Sequence, residues 1–101
     1  MRFSTFSILT ITALTTSVVG QIMYNRAWCV DENGENAIEQ SKSTCGAYAN
    51  NKGGDYCEDC AWGTGDPNIQ NGQTCYSAKR DINIDSWDKI CQLYRTRGRA
   101  N

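Results

Sequence analysis

The amino-acid sequence predicts an α+β fold, a small disulfide-stapled sandwich with two helices packed on a short antiparallel sheet. Three observations carry that expectation. Six cysteines lie after residue 28, behind an uncharged N-terminal run that ends in small residues. Two later segments space their apolar and cysteine positions as helices do, and β-branched and aromatic runs punctuated by Gly, Asn and Asp lie around them. What remains behind a leader, residues 21–101, is too short for a core that comfortably outweighs chain entropy, so covalent links are expected.

Arg2 gives the leader a positive start, residues 3–19 carry no charge, and Val18-Val19-Gly20 offers small residues where a signal peptidase reads them. Residues 1–20 are therefore expected to be a removed secretory signal. Residues 21–101 follow as a single cysteine-rich domain, secreted and extracellular. Serines and threonines interrupt the run, which barely matches the ~20 apolar residues of a bilayer-spanning helix. No stable membrane insertion is expected.

Residues 22–30 are β-branched and aromatic enough to read as a strand, and 31–34 as a turn. From Asn36 onward, Ile38, Ser41, Cys45, Tyr48 and Ala49 recur at helical spacing, and residues 50–54 stop that helix. Residues 55–62 read as a strand carrying Cys57 and Cys60. Residues 63–72 form a loop rich in Gly, Asn and Asp, and 73–78 another strand, extended after a break by Ile82 and Ile84. Asp85 reads as an N-cap with Asp88 three residues on, and Trp87, Ile90, Cys91 and Tyr94 as the apolar stripe of the second helix. Arg95, Arg97 and Gly98 close it with the charge a helix C-terminus prefers. The expected order is strand–helix–strand–strand–helix.

An even set of cysteines in an oxidising compartment, Cys29, Cys45, Cys57, Cys60, Cys75 and Cys91, reads as three disulfides. Fifteen pairings exist, and the sequence does not choose among them. Cys45 and Cys91 sit on buried helix faces, so each should bond to the sheet or to the other helix. The local pair Cys57–Cys60 ranks below links to distant elements, because so small a ring constrains little of the chain. Its C-x-x-C spacing also suits zinc or thiol redox chemistry. However, the other cysteines are isolated, the chain has no histidine, and Glu58 and Asp59 would raise a thiol pKa. Neither metal nor cofactor is expected.

The absence of histidine removes the commonest general base and the usual partner of a Ser or Cys nucleophile. Asp55, Glu58, Asp59 and Asp66 cluster in sequence but read as a solvated acidic loop rather than a glycosidase pair. The expectation is a non-enzymatic protein. Trp28, Tyr48, Tyr76, Trp87 and Tyr94 lie beside cysteines or on apolar stripes and read as core. Trp62 opens the Gly-rich loop beside the C-x-x-C pair, with Tyr56 just ahead of that pair. These two are the candidate binding residues, for a sugar ring or a partner's pocket.

Behind the leader, nine Lys and Arg face eleven Asp and Glu. Lys89, Arg95, Arg97 and Arg99 make the C-terminus basic, but a broad basic face is lacking, so nucleic acid is not an expected partner. A host protein or an extracellular glycan is, with the chain as a monomer. Lys79-Arg80 is a dibasic pair of the type kexin-like proteases cut, and it reads as a solvated turn. A cut there would separate Cys75 from Cys91.

In plan, a short Ser/Thr-rich leader, a small domain, six cysteines and no enzyme motif, the chain resembles the small secreted cysteine-rich proteins of filamentous fungi. Many of those are effector candidates delivered to a host. The resemblance implies a secreted binding protein acting at a host interface. Some effectors of that kind have strand–helix sandwiches similar to killer toxins, so a toxin or antimicrobial protein is one alternative, although that role wants a cationic surface. Trp28-Cys29-Val30, Cys45-Gly46 and Gly72-Gln73-Thr74-Cys75-Tyr76 are also similar to words of the X8 glucan-binding modules. Their spacing departs from that family and its late cysteines are missing. That resemblance implies a wall-glucan-binding module as a second alternative.

Overall fold

The computed structural model describes residues 22–51 and 54–101; the expected leader, Gln21 and part of the 50–54 helix stop lie outside them. Strands β1 (Met23–Tyr24) and β5 (Ile82–Asn83) pair antiparallel as a two-stranded ribbon. Four more strands, β2 (Arg26–Val30), β3 (Ala61–Trp62), β4 (Cys75–Tyr76) and β6 (Arg97–Ala100), form an antiparallel sheet in the order β3–β4–β2–β6. Helix α1 (Ile38–Ala49) follows β2, and helix α2 (Ile84–Leu93) runs on from β5. The fold is α+β, with two helices on antiparallel sheet.

Register shows why both helices lie on one face. Ala27 stands opposite Cys75 on one side and Ala100 on the other, and Cys29 stands opposite Gly98. Directly paired residues project to the same face, so Ala27, Cys29, Cys75, Gly98 and Ala100 share one. Onto that face Cys45 of α1 bonds to Cys75, and Cys91 of α2 bonds to Cys29. The third disulfide joins Cys57 to Cys60. This local ring is the pairing that the sequence argument ranked lower. Once Cys45 and Cys91 reach the sheet at Cys75 and Cys29, only these two cysteines remain to pair.

The core centres on Trp87, Tyr48 and Ile82, all fully buried. The Trp87 and Tyr48 rings meet edge to face at 5.9 Å, a favoured aromatic geometry. Both polar handles are satisfied: Trp87 Nε1 donates to the Trp28 carbonyl at 2.9 Å, and the Tyr48 hydroxyl accepts from the Asn83 N–H at 3.1 Å. Burial raises the Tyr48 pKa. Helix α1 turns a largely polar side inward, burying Ser41, Thr44, Cys45 and Tyr48, while Ile38 is exposed despite its place on the expected stripe. Ser41 explains this side. Its hydroxyl oxygen accepts from the Cys29 N–H at 2.7 Å and lies 2.8 Å from Asn36 Oδ1.

The second helix differs from its expected form at both ends. Its N-cap is Asn83, whose Oδ1 accepts from the N–H groups of Asp85 and Ser86 at 2.9 and 3.2 Å, so the helix begins before Asp85. It ends in a Schellman arrangement: Thr96 N–H donates to the Cys91 carbonyl and Arg95 N–H to that of Gln92, with Arg95 at φ +61°. Consequently Tyr94, expected in the core, lies past the helix and is 41% exposed. Arg97 and Gly98 do not cap the helix but enter β6. At Gly98 a Cβ would stand 2.8 Å from the Trp87 ring and 2.9 Å from Asp88 Cα, so only glycine lets α2 lie this close to the strand.

The strand expected over 55–62 shrinks to Ala61–Trp62, because the Cys57–Cys60 ring turns the chain where an extended run was expected. The strand over 73–78 is likewise confined to Cys75–Tyr76. Among the described residues, no helix is long and apolar enough to cross a membrane.

Candidate binding surface

Trp62 sits on the edge strand β3, paired with Cys75 and so directed to the helix face, where it is half-buried against the core. The ladder continues past it, with Gly63 N–H donating to the Thr74 carbonyl at 2.9 Å. Tyr56, also half-buried, lies just before Cys57. Trp62 therefore lies in a strand, whereas Tyr56 lies in irregular chain. Trp62 packs at the sheet edge beside the Cys45–Cys75 link and keeps part of its surface exposed.

The acidic cluster is used as hydrogen-bond acceptors. Asp55 accepts from the Ser86 hydroxyl at 2.6 Å, Asp66 from the Asn68 N–H at 2.9 Å, and Asp59 from the Ser77 hydroxyl at 2.6 Å and the Lys79 N–H at 2.9 Å. Burial pushes the Asp59 carboxyl upward, but the bonds from Ser77 and Lys79 outweigh it, and its pKa falls below the usual value. Asp59 also lies with Cys57 and Cys60 in a group of metal-ligand type. The two sulfurs are bonded to each other, so neither is the thiolate that a zinc ligand must be.

A different corner of the molecule gathers unsatisfied surface. Where α2 ends, Leu93 is 79% exposed, beside exposed Tyr94 and Arg95. Next to them is a cavity of about 340 Å³, lined by Val30, Asp31 and Glu32 at the end of β2 and by Arg95, Thr96 and Arg97 between α2 and the start of β6. One wall is rigid. Arg97 Nε and Nη2 each donate to Asp88 at 3.1 Å, and Gly98 N–H donates to Asp88 at 2.7 Å. The Arg97 bonds, with that from Gly98, hold the Asp88 carboxyl below its ordinary range against the opposing effect of burial, and Asp88 in turn raises Arg97. Thr96 is buried, its hydroxyl donating to the Cys91 carbonyl at 2.7 Å. The corner therefore offers apolar and aromatic surface and both signs of charge.

Beside it, the sheet face away from the helices mixes Arg26 and Arg99 with Trp28, Val30 and Tyr76, while the charge of Arg97 is paired to Asp88. Arg97 and Arg99 stand opposite Val30 and Trp28, and Arg26 lies 5.6 Å over the Tyr76 ring. The family model for biotrophy-associated secreted protein 4 matches residues 22–99. The chain belongs to that family. It is a fungal effector family, and the chain is accordingly a secreted, cysteine-rich, effector-like protein. The three disulfides fit an extracellular location. Comparison with curated proteins and with solved structures gives no match. The match spans β1 through most of β6, so the family domain includes the α2–β6 corner that sequence reading passed over. A signal was present there: Leu93 falls off the stripe through Trp87, Ile90 and Cys91, and an apolar residue off the inward stripe of a helix faces solvent.

Proposed function

We propose that this member of the family acts by binding a host protein at the host interface, without catalysis, through the corner where α2 meets β6. The observation that carries the reading is the exposure of Leu93 and Tyr94 next in sequence to the cavity lined by Arg95, Thr96 and Arg97. An exposed leucine and tyrosine next in sequence to a charged cavity are the composition of a protein-binding anchor, and Asp31, Glu32 and Arg95 in the cavity lining suit a partner carrying both charges. A non-enzymatic role is supported by the employment of Asp55, Asp59 and Asp66 in structural hydrogen bonds. Asp59 and Asp88 are held below the ordinary Asp value by their hydrogen bonds, whereas an acid catalyst at neutral pH is tuned upward.

The combined Leu93→Ser and Tyr94→Ala variant tests this. It should keep its disulfides and circular dichroism and lose the host response that the wild-type protein elicits. A fully active double variant overturns the assignment of the corner. Retention of wild-type protein on β-glucan or chitin, abolished by Trp62→Ala, would instead support a wall-glycan module, and growth arrest of competing microbes would support a toxin.

A further inference from the structure

The short disulfide contributes least to chain entropy, yet its ring holds the carboxylate of Asp59, which reaches a segment distant in sequence. That segment contains the dibasic pair Lys79-Arg80. Both side chains are exposed, but the backbone around them is pinned. Asp59 Oδ1 accepts from the Ser77 hydroxyl at 2.6 Å and Oδ2 from the Lys79 N–H at 2.9 Å. The Ser77 hydroxyl oxygen in turn accepts from the Asp81 N–H at 2.9 Å. Arg80 donates its N–H to the Ser77 carbonyl and its Nε to the Met23 carbonyl, each at 3.1 Å. Ser77 N–H bonds the Asn25 carbonyl at 2.7 Å. Arg80 adopts φ +61°, and Ile82, two residues on, is fully buried.

An endoprotease reads several residues on both sides of its scissile bond, so a pinned turn must open before it is cut. We propose that Lys79-Arg80 is a latent processing site for a dibasic-specific endoprotease, held shut by the Cys57–Cys60 disulfide through Asp59 and opened when a dithiol reduces that disulfide. Cys60 is the half-buried member of the set, whereas Cys29, Cys57, Cys75 and Cys91 are fully buried and Cys45 nearly so. A reductant thiolate attacks the Cys60 sulfur, releases Cys57 as a thiol, and leaves a mixed disulfide. The second thiol of the reductant resolves it. Two electrons and two protons pass to the protein, and the reductant leaves as a disulfide. With its ring open, Asp59 no longer holds Ser77 and Lys79 in place. The protease then adds water across the Arg80–Asp81 bond, giving a carboxylate on Arg80 and an amine on Asp81. Cys45–Cys75 lies wholly within the first piece, while Cys29–Cys91 spans the cut. The product is a two-chain protein rather than a released fragment.

The test treats full-length secreted protein with a kexin-type protease, oxidised or after mild dithiol treatment, with the reduced pair mapped by alkylation. Oxidised wild type should resist. Protein reduced only at Cys57–Cys60 should be cut after Arg80 at least about tenfold faster, as expected when two charge-assisted hydrogen bonds holding a closed segment are lost. Its pieces should separate only after full reduction. Oxidised Asp59→Ala, with all three disulfides confirmed by mass, should be cut as fast as the reduced wild type. Cleavage of oxidised wild type at the reduced rate overturns the proposal, and so does resistance of Asp59→Ala.

Discussion

The two long disulfides and the short one act on different parts of the molecule. Cys29–Cys91 and Cys45–Cys75 span 62 and 30 positions and tie each helix to the sheet. Cys57–Cys60 spans 3 and ties nothing to a distant element. In the chain-entropy model the long links contribute about 4 and about 3.5 kcal/mol, and the short ring about 2. The surroundings sharpen the contrast. Cys29 is buried, with its sulfur 3.3 Å from the Thr44 hydroxyl in the seam between β2 and α1. Cys60 lies half-exposed at a turn. The lesson is that cysteines of one chain divide between holding the fold and holding a loop, and sequence separation with burial tells which is which. The largest expected effect follows. Removing Cys29–Cys91 with Cys29→Ser and Cys91→Ser should destabilise by about 4 kcal/mol or abolish secretion. The corresponding Cys57→Ser and Cys60→Ser variant should be secreted and lose about 2 kcal/mol or less. Denaturant unfolding of both variants measures the difference, and equal losses would break the comparison.

A second contrast lies between the seam under Trp87 and the β3 edge at Trp62. Both residues are tryptophans beside a disulfide, but Trp87 is fully buried and hydrogen-bonded while Trp62 is half-buried at an open edge. Gly98 probes the first. Its missing Cβ is what allows α2 to approach β6, with the nearest contact on the Trp87 ring at 2.8 Å. Gly98→Ala should therefore cost about 1–3 kcal/mol through overpacking, read as a lower thermal midpoint with unchanged disulfides. Gly63, at the β3 edge, has open space around its Cβ position, but its φ of +77° disfavours any other residue. A Gly98→Ala protein as stable as wild type would mean that α2 and β6 are less tightly apposed than described.

How much of this was legible beforehand depends on which force decided each element. The helix over α1, the stripe through Trp87 and Cys91, and the turn after Val30 are written in local spacing and punctuation, and the α+β class follows from them. Strand β6 was not legible. Arg97-Gly98-Arg99-Ala100 has no apolar alternation, because its inward positions are Gly98 and Ala100, small to fit under α2. Tertiary contact rather than propensity makes it a strand. The run from 55 to 62 misled for the converse reason: its composition suits a strand, but a covalent ring turns it. The candidate site divides the same way. Tyr56 and Trp62 drew attention as aromatics in a Gly-rich context, yet edge pairing to Cys75 half-buries Trp62. Leu93 drew none, although its place off the buried stripe encoded its exposure.

The smallest effect concerns pH, and it separates the seam from the turn once more. Asp88 and Asp59 both have folded pKa values below the ordinary Asp value, Asp88 chiefly through Arg97 and Asp59 through Ser77 and Lys79 acting against burial. A carboxylate of this kind adds stability that is fully present above its unfolded pKa, about 3.9, and is lost as pH falls through the lower folded value. Below about pH 4, then, both regions should loosen. Asp88 joins α2 to β6 through Arg97 and the Gly98 N–H, so its protonation weakens the global fold. Asp59 joins a surface turn to the short ring, so its protonation releases that turn while the core stays closed. Asp88→Asn should flatten the fall of global stability between neutral pH and pH 3. Asp59→Asn should leave that fall nearly unchanged while making the Lys79-Arg80 turn accessible at neutral pH. Unfolding curves taken across the range, with proteolysis at Arg80 read in parallel, distinguish the two. If Asp59→Asn flattens the global curve as strongly as Asp88→Asn does, the short ring belongs to the fold after all, and the division between staple and clasp fails.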